Sequence, residues 1–348
     1  MIINVRQSSA SGKVLTVQTT SNATVTLRKN DRVEEQTADG SGVLIFKGLS
    51  SGVWSVTATK GPSSKTKEVD IQENISIEIY VSSVPEFTYT TSYEDGGYVV
   101  CDDNDVDITN KIDTHQGDWK IKFLKSGILS ITCLNEASSG IDVFCVGGGG
   151  NGVDGPIYTH EQSGGSGVGA GTGGGGGGYT TTKRGVSVPT GTYDISVGGS
   201  GGTTYAFKGK SFEVSAANGK TGGHNGYDGG DGGSGGGAGS WTTNTCCSGG
   251  TNGNNGYTVP GDNYTHYGYA GKGQGNPPGT REFGESNGKL YSTGGTGGSN
   301  YWAPPRSVTP NTGDGGHGGG GANARITAAE RKGVKGASGI VIIRNKRT

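Results

Sequence analysis

The distribution of glycine limits what this chain can fold into more than any other feature of the sequence. Residues 1–145 contain 11 of the 73 glycines, and residues 146–348 contain the other 62. Glycine loses more backbone entropy on ordering than any other residue and brings no side chain to a core. Hydrophobic residues make up only 29% of the chain, far below the share in an ordinary globular domain. One conventional core spanning the chain is therefore excluded. The composition changes near Cys145 from that of an ordinary protein to a glycine-rich one.

The glycine tracts of residues 146–348 have the composition of a flexible linker, but two features predict that they are ordered. Aromatic residues interrupt the tracts, and residues 339–344 (GIVIIR) form a closing strand that is useful only if it pairs with earlier strands. An extended helix with three residues per turn leaves its backbone donors and acceptors free to bond neighbouring helices. The tracts keep no strict every-third-glycine register, which excludes collagen. We therefore predict a packed lattice of polyglycine-II helices combined with β-structure.

Residues 1–82 are predicted to form a small β-sandwich that serves as an anchor or spacer, and their pattern resembles that of immunoglobulin-like modules. Apolar residues alternate with polar ones, as at Val25 and Leu27 or at Trp54 and Val56, which places one face of each strand on a core. Turn residues separate the runs, for example Ala38-Asp39-Gly40. The alternation predicts an all-β fold for this part of the chain.

Residues 83–145 are predicted to be a β-rich connecting segment that joins the C-terminal sheet. Three runs rich in branched and aromatic residues are candidate strands: Trp119–Phe123, Ile128–Thr132 and Ile141–Cys145. An acidic cluster between Asp102 and Asp107 lacks the glycine and the distal glutamate of an EF-hand loop. We therefore expect a solvated loop there, with no bound calcium.

Charge and composition argue against several classes of partner. The net charge is −1 and no basic stripe is visible, so no nucleic-acid partner is expected. No run approaches 18 apolar residues, so no membrane insertion is expected, and the first residues lack a secretory signal, which predicts assembly in a cytoplasm. The five histidines are scattered one per loop, so neither a metal site nor a cofactor is expected. The five cysteines are expected to be free thiols.

Six segments of the chain carry a family resemblance: WKIKFLKSG, IDVFCVGGGG, GGGGGGYTTT, VPTGTYDISVGGSGGTT, TREFGESNGKLY and GASGIVIIRN. In this order, over residues 117–344, they resemble the glycine-rich domain of bacteriophage tail-fibre proteins, which are frequent in phages of Gram-positive gut bacteria. The resemblance implies a virion protein whose loops and glycine helices form a distal, host-facing tip, often in a homotrimer with other tail or baseplate proteins as partners. It implies no catalytic residue, and an enzyme is not expected.

Irregular stretches between the glycine tracts depart from the family pattern and hold the candidate receptor contacts. Aromatic rings with polar groups give large contact areas at low entropic cost, which suits binding to a host surface glycan or protein. Two alternatives stay open: the same rings cap the glycine helices, or the protein is a structural fibre shaft or baseplate connector. The candidate contacts are Tyr227, Trp241, Tyr257, Tyr264, Tyr267, Tyr269, Tyr301 and Trp302.

Overall fold

The computed structural model confirms the all-β fold class. It describes residues 12–61, 63–92, 96–115, 117–133, 140–155, 171–223, 228–239, 248–251, 280–298, 303–321 and 326–345, together with the backbone of residues 257–258 and 266–267. The described helical structure consists of two short 3-10 turns, Thr109–Thr114 and Glu282–Gly284. Neither of these turns could reach across a bilayer.

Seven strands form an N-terminal β-sandwich. One sheet has the order β4-β1-β7 and the other the order β3-β2-β5-β6, and β1 runs parallel to β7. Trp54, Leu27 and Phe46 are fully buried between the sheets, and the Trp54 indole donates a hydrogen bond to the Ser50 carbonyl (2.9 Å). The strands are β1 (Lys13–Thr19), β2 (Thr24–Lys29), β3 (Arg32–Thr37), β4 (Val43–Leu49), β5 (Gly52–Lys60), β6 (Ser63–Ile71) and β7 (Ile75–Ile79).

A second sandwich combines strands from the connecting segment with strands from the glycine-rich part. Its two main sheets have the orders β13-β12-β19-β10-β9 and β14-β11-β8, and the β15-β16 hairpin packs against β12; the pair β17-β18 is a separate two-stranded sheet. The strands are β8 (Glu86–Thr90), β9 (Tyr98–Asp102), β10 (Trp119–Phe123), β11 (Gly127–Cys133), β12 (Ile141–Val146), β13 (Thr180–Val186), β14 (Gly191–Ile195), β15 (Thr204–Ala206), β16 (Val214–Ala216), β17 (Tyr257–Thr258), β18 (His266–Tyr267) and β19 (Ile340–Asn345).

The closing strand β19 lies in the middle of the larger sheet, paired on one side with β10 and on the other with β12. Its apolar residues join a core that contains Phe123, Val143 and Phe207. Residues 83–145 and the strands beyond residue 146 therefore form one sandwich around a common core, and the glycine tracts are insertions between its strands.

Strand register gives the order of the parts along the molecule. Ile141 pairs with Asn345 at one end of the larger sheet, and Val146 pairs with Ile340 at the other end. The first end adjoins the N-terminal sandwich, because the Trp119 backbone bonds Asn345 (3.0 Å) and β10 begins just after the 3-10 turn that contacts the interdomain linker. The glycine tracts leave from the second end. The N-terminal sandwich, the second sandwich and the glycine tracts therefore follow one another.

The glycine tracts form extended segments whose hydrogen bonds repeat every third residue, as in polyglycine II. Five segments occupy the six positions around the 171–179 segment. The 228–239 segment fills two of these positions, because it turns back at residues 232–234. It donates through Thr172, Gly175 and Gly178 to one neighbour, the 312–321 segment. We call these segments glycine helices; they comprise residues 147–155, 171–179, 217–223, 228–239, 292–298, 312–321 and 331–339.

Glycine is required where these helices touch. A Cβ atom on Gly175 would lie 2.2 Å from the Gly150 carbonyl oxygen, and one on Gly178 would lie 2.0 Å from the Gly147 oxygen. A Cβ on Gly176 would lie 2.2 Å from the Asp231 oxygen. The obstructing atoms belong to backbones that are themselves hydrogen-bonded, so they cannot move aside without breaking further bonds. Interhelix packing therefore excludes every side chain at these positions.

We predict that Gly176→Ala destabilises the lattice by about 3 kcal/mol or more, because the added methyl group overlaps a neighbouring backbone. The matched control is Gly199→Ala, since a Cβ at Gly199 meets nothing within 4 Å. Thermal unfolding followed by circular dichroism should show a lower midpoint for the first variant and little change for the second. Equal midpoints for the two variants would contradict the close packing.

Candidate functional site

Four of the seven glycine helices are attached directly to strands of the second sandwich. Gly147 directly follows β12, Tyr179 directly precedes β13, Ala217 follows β16 and Gly339 precedes β19. These residues lie at the end of the lattice next to the second sandwich. A nine-residue helix of this type rises about 25 Å, so its other end lies well away from the sheets.

The opposite helix ends come together in one layer, which we call the distal face. The Gly155 amide bonds the Arg331 carbonyl (2.5 Å), and the Gly298 amide bonds the Thr172 carbonyl (2.9 Å). Ile326, which is 5% exposed, packs there against Gly320. The distal face comprises Gly155, Thr172, Gly223, Asp228, Gly239, Gly298, Gly320 and Ile326.

Residues of the distal face flank five segments that lie outside the described part of the chain: residues 156–170, 224–227, 240–247, 299–302 and 322–325. Four of the predicted receptor contacts belong to them, namely Tyr227, Trp241, Tyr301 and Trp302. These four residues lie outside the part of the chain that the structure describes. What the structure establishes is that the residues flanking them are brought to one end of the molecule, opposite the N-terminal sandwich.

The other four predicted contacts, Tyr257, Tyr264, Tyr267 and Tyr269, belong to a different excursion. It begins after Thr251, whose amide bonds the Asp231 carboxylate (2.8 Å) one helical turn inward from the distal face. It returns at Thr280, whose carbonyl accepts from the Tyr291 amide (2.9 Å) beside the larger sheet. The backbones of Tyr257 and Tyr267 pair in the β17-β18 hairpin, and Tyr264 and Tyr269 lie outside the described residues. The eight candidates therefore separate into two groups.

Residues 280–291, which close this excursion, are held on the larger sheet by buried groups. Phe283 and Tyr291 pack their rings against Phe144, with centroid distances of 5.6 and 5.5 Å. Glu282, 4% exposed, accepts hydrogen bonds from the Lys120 ammonium and the Tyr291 hydroxyl, both at 3.1 Å. Burial and the neighbouring carboxylate raise the pKa of Tyr291, so its hydroxyl stays protonated and donates.

A second ionic group lies beside the first. Arg344 Nη2 contacts Asp142 Oδ2 at 3.2 Å and Glu285 Oε1 at 2.5 Å, and its guanidinium lies 3.9 Å from the centre of the Phe283 ring. Arg184 adds a contact to Asp142 (3.0 Å) and donates to the Phe283 carbonyl (2.8 Å). Phe283 has a φ of 52°, a strained conformation for a large residue that these contacts hold in place. The two arginines balance the charges of Asp142 and Glu285, which is typical of an ion-pair network that stabilises a structure.

The acidic cluster of residues 102–107 is only partly the solvated loop that the sequence predicts. Asp102 accepts hydrogen bonds from the Asn104 and Val106 amides, both at 2.9 Å, which shapes the turn. Asp105 contacts Lys120 at 2.5 Å and Lys122 at 2.8 Å, so it extends the ionic group around Glu282. The prediction missed this because the lysines lie on a strand that is distant in sequence.

Polar side chains complete the hydrogen bonding along the sides of the lattice, where a glycine helix has no backbone neighbour for some of its N–H groups. They occur in pairs three residues apart, one turn of a polyglycine-II helix, and each pair accepts from two amides that are also three apart. Asn151 and Asp154 accept from Gly336 and Gly333, Asp228 and Asp231 accept from Ser248 and Thr251, and Asp314 and His317 accept from Thr293 and Thr296.

These acceptor pairs are the main feature that reasoning from the sequence missed. In the segment GGHNGYDGGDGG, Asp228 and Asp231 serve as hydrogen-bond acceptors for amides. Hydrogen bonds from Thr251 lower the pKa of Asp231. Within the described residues, no three His, Cys, Asp or Glu side chains are placed to share a metal ion. The sequence feature that could have predicted these pairs is a polar residue repeated at every third position of a glycine tract.

The cysteines that the structure describes form no disulfide. Cys101 and Cys145 are buried, and burial raises the pKa of Cys145 to about 12. Cys133 is partly exposed, with its sulfur 3.2 Å from the Ser63 hydroxyl. Cys246 and Cys247 lie outside the described residues. Burial also raises the pKa of Cys101, so both buried cysteines stay protonated at neutral pH.

Comparison with known proteins identifies the C-terminal part of the chain. A family model described as a glycine-rich domain matches residues 126–346, nearly two thirds of the chain. No curated protein matches the sequence. A solved structure, the Bacillus anthracis TIE protein, aligns at 10% identity over 61% of this chain and 49% of that one, with a TM-score of 0.18, too low to indicate a shared fold. This chain therefore spans about half the length of that structure.

We predict that the lattice loses stability in mild acid because of His317. Its Nδ1 atom accepts the Thr296 N–H (3.0 Å), which requires a neutral ring, and burial lowers the pKa of His317 below 6.5. The unfolded chain therefore binds a proton more readily, so this stabilisation is complete above pH 6.5 and is lost as the pH falls from 6.5 through the folded-state pKa.

The unfolding midpoint, measured between pH 7.5 and 5, should fall for the native chain and fall less for His317→Asn, whose amide oxygen can accept the same bond without titrating. Hydrogen bonds to Lys332 and Thr251 lower the pKa of Asp154 and Asp231, respectively, so these two acceptors stay ionised over this range. Identical pH profiles for the two proteins would show that His317 does not contribute.

We also predict that Lys120→Met costs about 3–5 kcal/mol, because it leaves the buried Glu282 carboxylate without its cation. The double variant Lys120→Met with Glu282→Leu should recover a large part of this loss, since it removes the uncompensated charge. Lys332→Met is the control, because its pair with Asp154 is exposed on both sides. Chemical denaturation measures all three variants, and a Lys120 variant as stable as the control would contradict a stabilising role for the buried Lys120–Glu282 pair.

Proposed function

The chain belongs to the glycine-rich domain family, and from this premise we propose that it is a receptor-binding protein of a phage tail fibre. In this proposal the distal face presents aromatic segments to a surface glycan or protein of a host bacterium. The N-terminal sandwich attaches the protein to other tail or baseplate proteins, and the protein works in the virion as a homotrimer that is assembled in the host cytoplasm. It carries out no catalysis.

One observation carries the proposal: the described residues that flank five separate stretches of the chain all lie at the face opposite the N-terminal sandwich. A single end that gathers loops from distant parts of the chain is the usual arrangement of a binding surface on a rigid scaffold. Four aromatic residues of these segments, Tyr227, Trp241, Tyr301 and Trp302, supply the ring surface that favours recognition.

The lattice suits this task because its interior does not depend on the distal segments. Its helices are joined by backbone hydrogen bonds, and along its sides polar residues such as Asp231 and Asp314 take the remaining amides. The segments can therefore change in sequence while the scaffold is kept. Several copies in a fibre would raise the effective affinity of individually weak contacts.

The proposal predicts that purified, fluorescently labelled protein binds a few strains in a panel of Gram-positive gut bacteria. Trp241→Ala with Trp302→Ala should lower cell binding about tenfold or more, the effect expected of aromatic residues at the centre of an interface. Tyr264→Ala with Tyr269→Ala is the comparison variant, because these tyrosines belong to the other group of candidates, between Thr251 and Thr280. It should bind like the native chain if the distal group alone contacts the receptor.

Circular dichroism of both double variants separates contact from folding. Native spectra and midpoints together with lost binding support a receptor surface, whereas lost structure supports the role of helix caps. A stable multimer that binds no strain would favour a structural connector instead. Point changes are preferable to removing residues 146–348, because that truncation would delete the central strand β19 and the strands β13 and β14.

A further inference from the structure

A cleft of about 500 Å³ lies between the two sandwiches, far from the distal face. One wall is the start of β6 (Ser63, Ser64 and Lys65), and the linker after Tyr80 forms the floor. The opposite wall belongs to the second sandwich and includes the 3-10 turn Thr109–Thr114. Clefts of this volume at domain junctions are common positions for small-molecule sites.

The walls of this interdomain cleft are fixed in place by hydrogen bonds. The Ser83 amide bonds the His115 carbonyl (2.9 Å), which joins the linker to the end of the 3-10 turn. The Val100 amide bonds the Thr109 hydroxyl (3.0 Å), which joins the other end of the turn to β9. The Thr132 hydroxyl bonds the Glu86 carbonyl (3.1 Å). A cleft that is already formed costs little conformational entropy when it is filled.

Its lining alternates between rings and hydrogen-bonding groups. Tyr80, Phe87 and Tyr98 are partly buried, and the Phe87 and Tyr98 rings meet edge to face with centroids 5.3 Å apart. Asn110 and Asp113 project polar groups from the 3-10 turn and are exposed. Further hydrogen-bonding side chains in the lining are Ser64, Lys65, Glu86, Thr88 and Thr132.

This composition restricts the chemistry of the occupant. A purely apolar ligand would cover the polar side chains without bonding them, which costs free energy for each unpaired group. An anionic ligand would meet Glu86 and Asp113 with Lys65 as the only cation in the lining. A neutral sugar satisfies both conditions, because its hydroxyls pair with the polar groups while its C–H face lies on the rings.

We propose that the interdomain cleft is a binding site for a neutral mono- or disaccharide, with Tyr80 as the stacking ring and Asn110 and Asp113 as hydrogen-bonding partners. The site is separate from the proposed receptor surface, because the second sandwich and the full length of the lattice lie between them. It gives the protein a sugar contact near its N-terminal end.

Saturation-transfer NMR on the full chain tests the site with glucose, galactose, rhamnose, N-acetylglucosamine, lactose and maltose as probes. We expect at least one sugar to bind with a millimolar dissociation constant, and Tyr80→Ala or Asn110→Ala to weaken it about tenfold. Tyr205→Ala, a similarly exposed tyrosine outside the cleft, is the matched control and should bind like the native chain.

The distal variant Trp241→Ala with Trp302→Ala distinguishes this site from the proposed receptor surface. Sugar binding that persists in the distal variant but is lost in Tyr80→Ala supports the cleft, whatever the outcome of the cell-binding experiment. Sugar binding that survives Tyr80→Ala and is lost in the distal variant overturns it. Absence of binding by all six sugars at 20-fold their expected dissociation constant, roughly 20 mM or more, also overturns it.

Discussion

The contact between one glycine backbone and the carbonyl of the next helix is the interaction on which the rest of the structure depends. Added Cβ atoms would approach these carbonyl oxygens to about 2 Å at position after position, as at Gly173 and Gly219. Only a chain without side chains at the contacts can bring the helices close enough for direct N–H···O=C bonds. Those bonds take the place of a hydrophobic core, because the lattice interior has almost no apolar side chains to bury.

This constraint decides where every other residue type can go. Apolar side chains are excluded from the lattice interior and gather in the two sandwiches around Trp54 and Phe123. Polar acceptors occupy the lattice sides in steps of three, where a side chain has room and an amide needs a partner. Buried ion pairs cluster around Lys120 and Arg344, where residues 280–291 are fixed to the larger sheet.

The proposed functions follow from this separation of roles. A lattice built from backbone bonds gives a stiff support whose end segments are free to vary, which is what recognition of variable bacterial surfaces requires. The interdomain cleft differs from the distal face, because its rings and polar groups are held in place by the two sandwiches and their linker. The two proposed sites therefore rest on different physical supports, and changes in one should leave the other intact.

The sequence by itself determined the all-β class, the strand runs such as Trp119–Phe123, and the need for an ordered lattice, because alternation and glycine content act locally. It also contained the acceptor pairs such as Asp314 and His317, whose three-residue spacing could have been read. Only the tertiary structure decided which helices are neighbours, that β19 enters the middle of the larger sheet, and that Ser248 and Thr251 return to the lattice. The physical reason is that lattice bonds join identical backbone groups, so no side chain in the sequence specifies the partner.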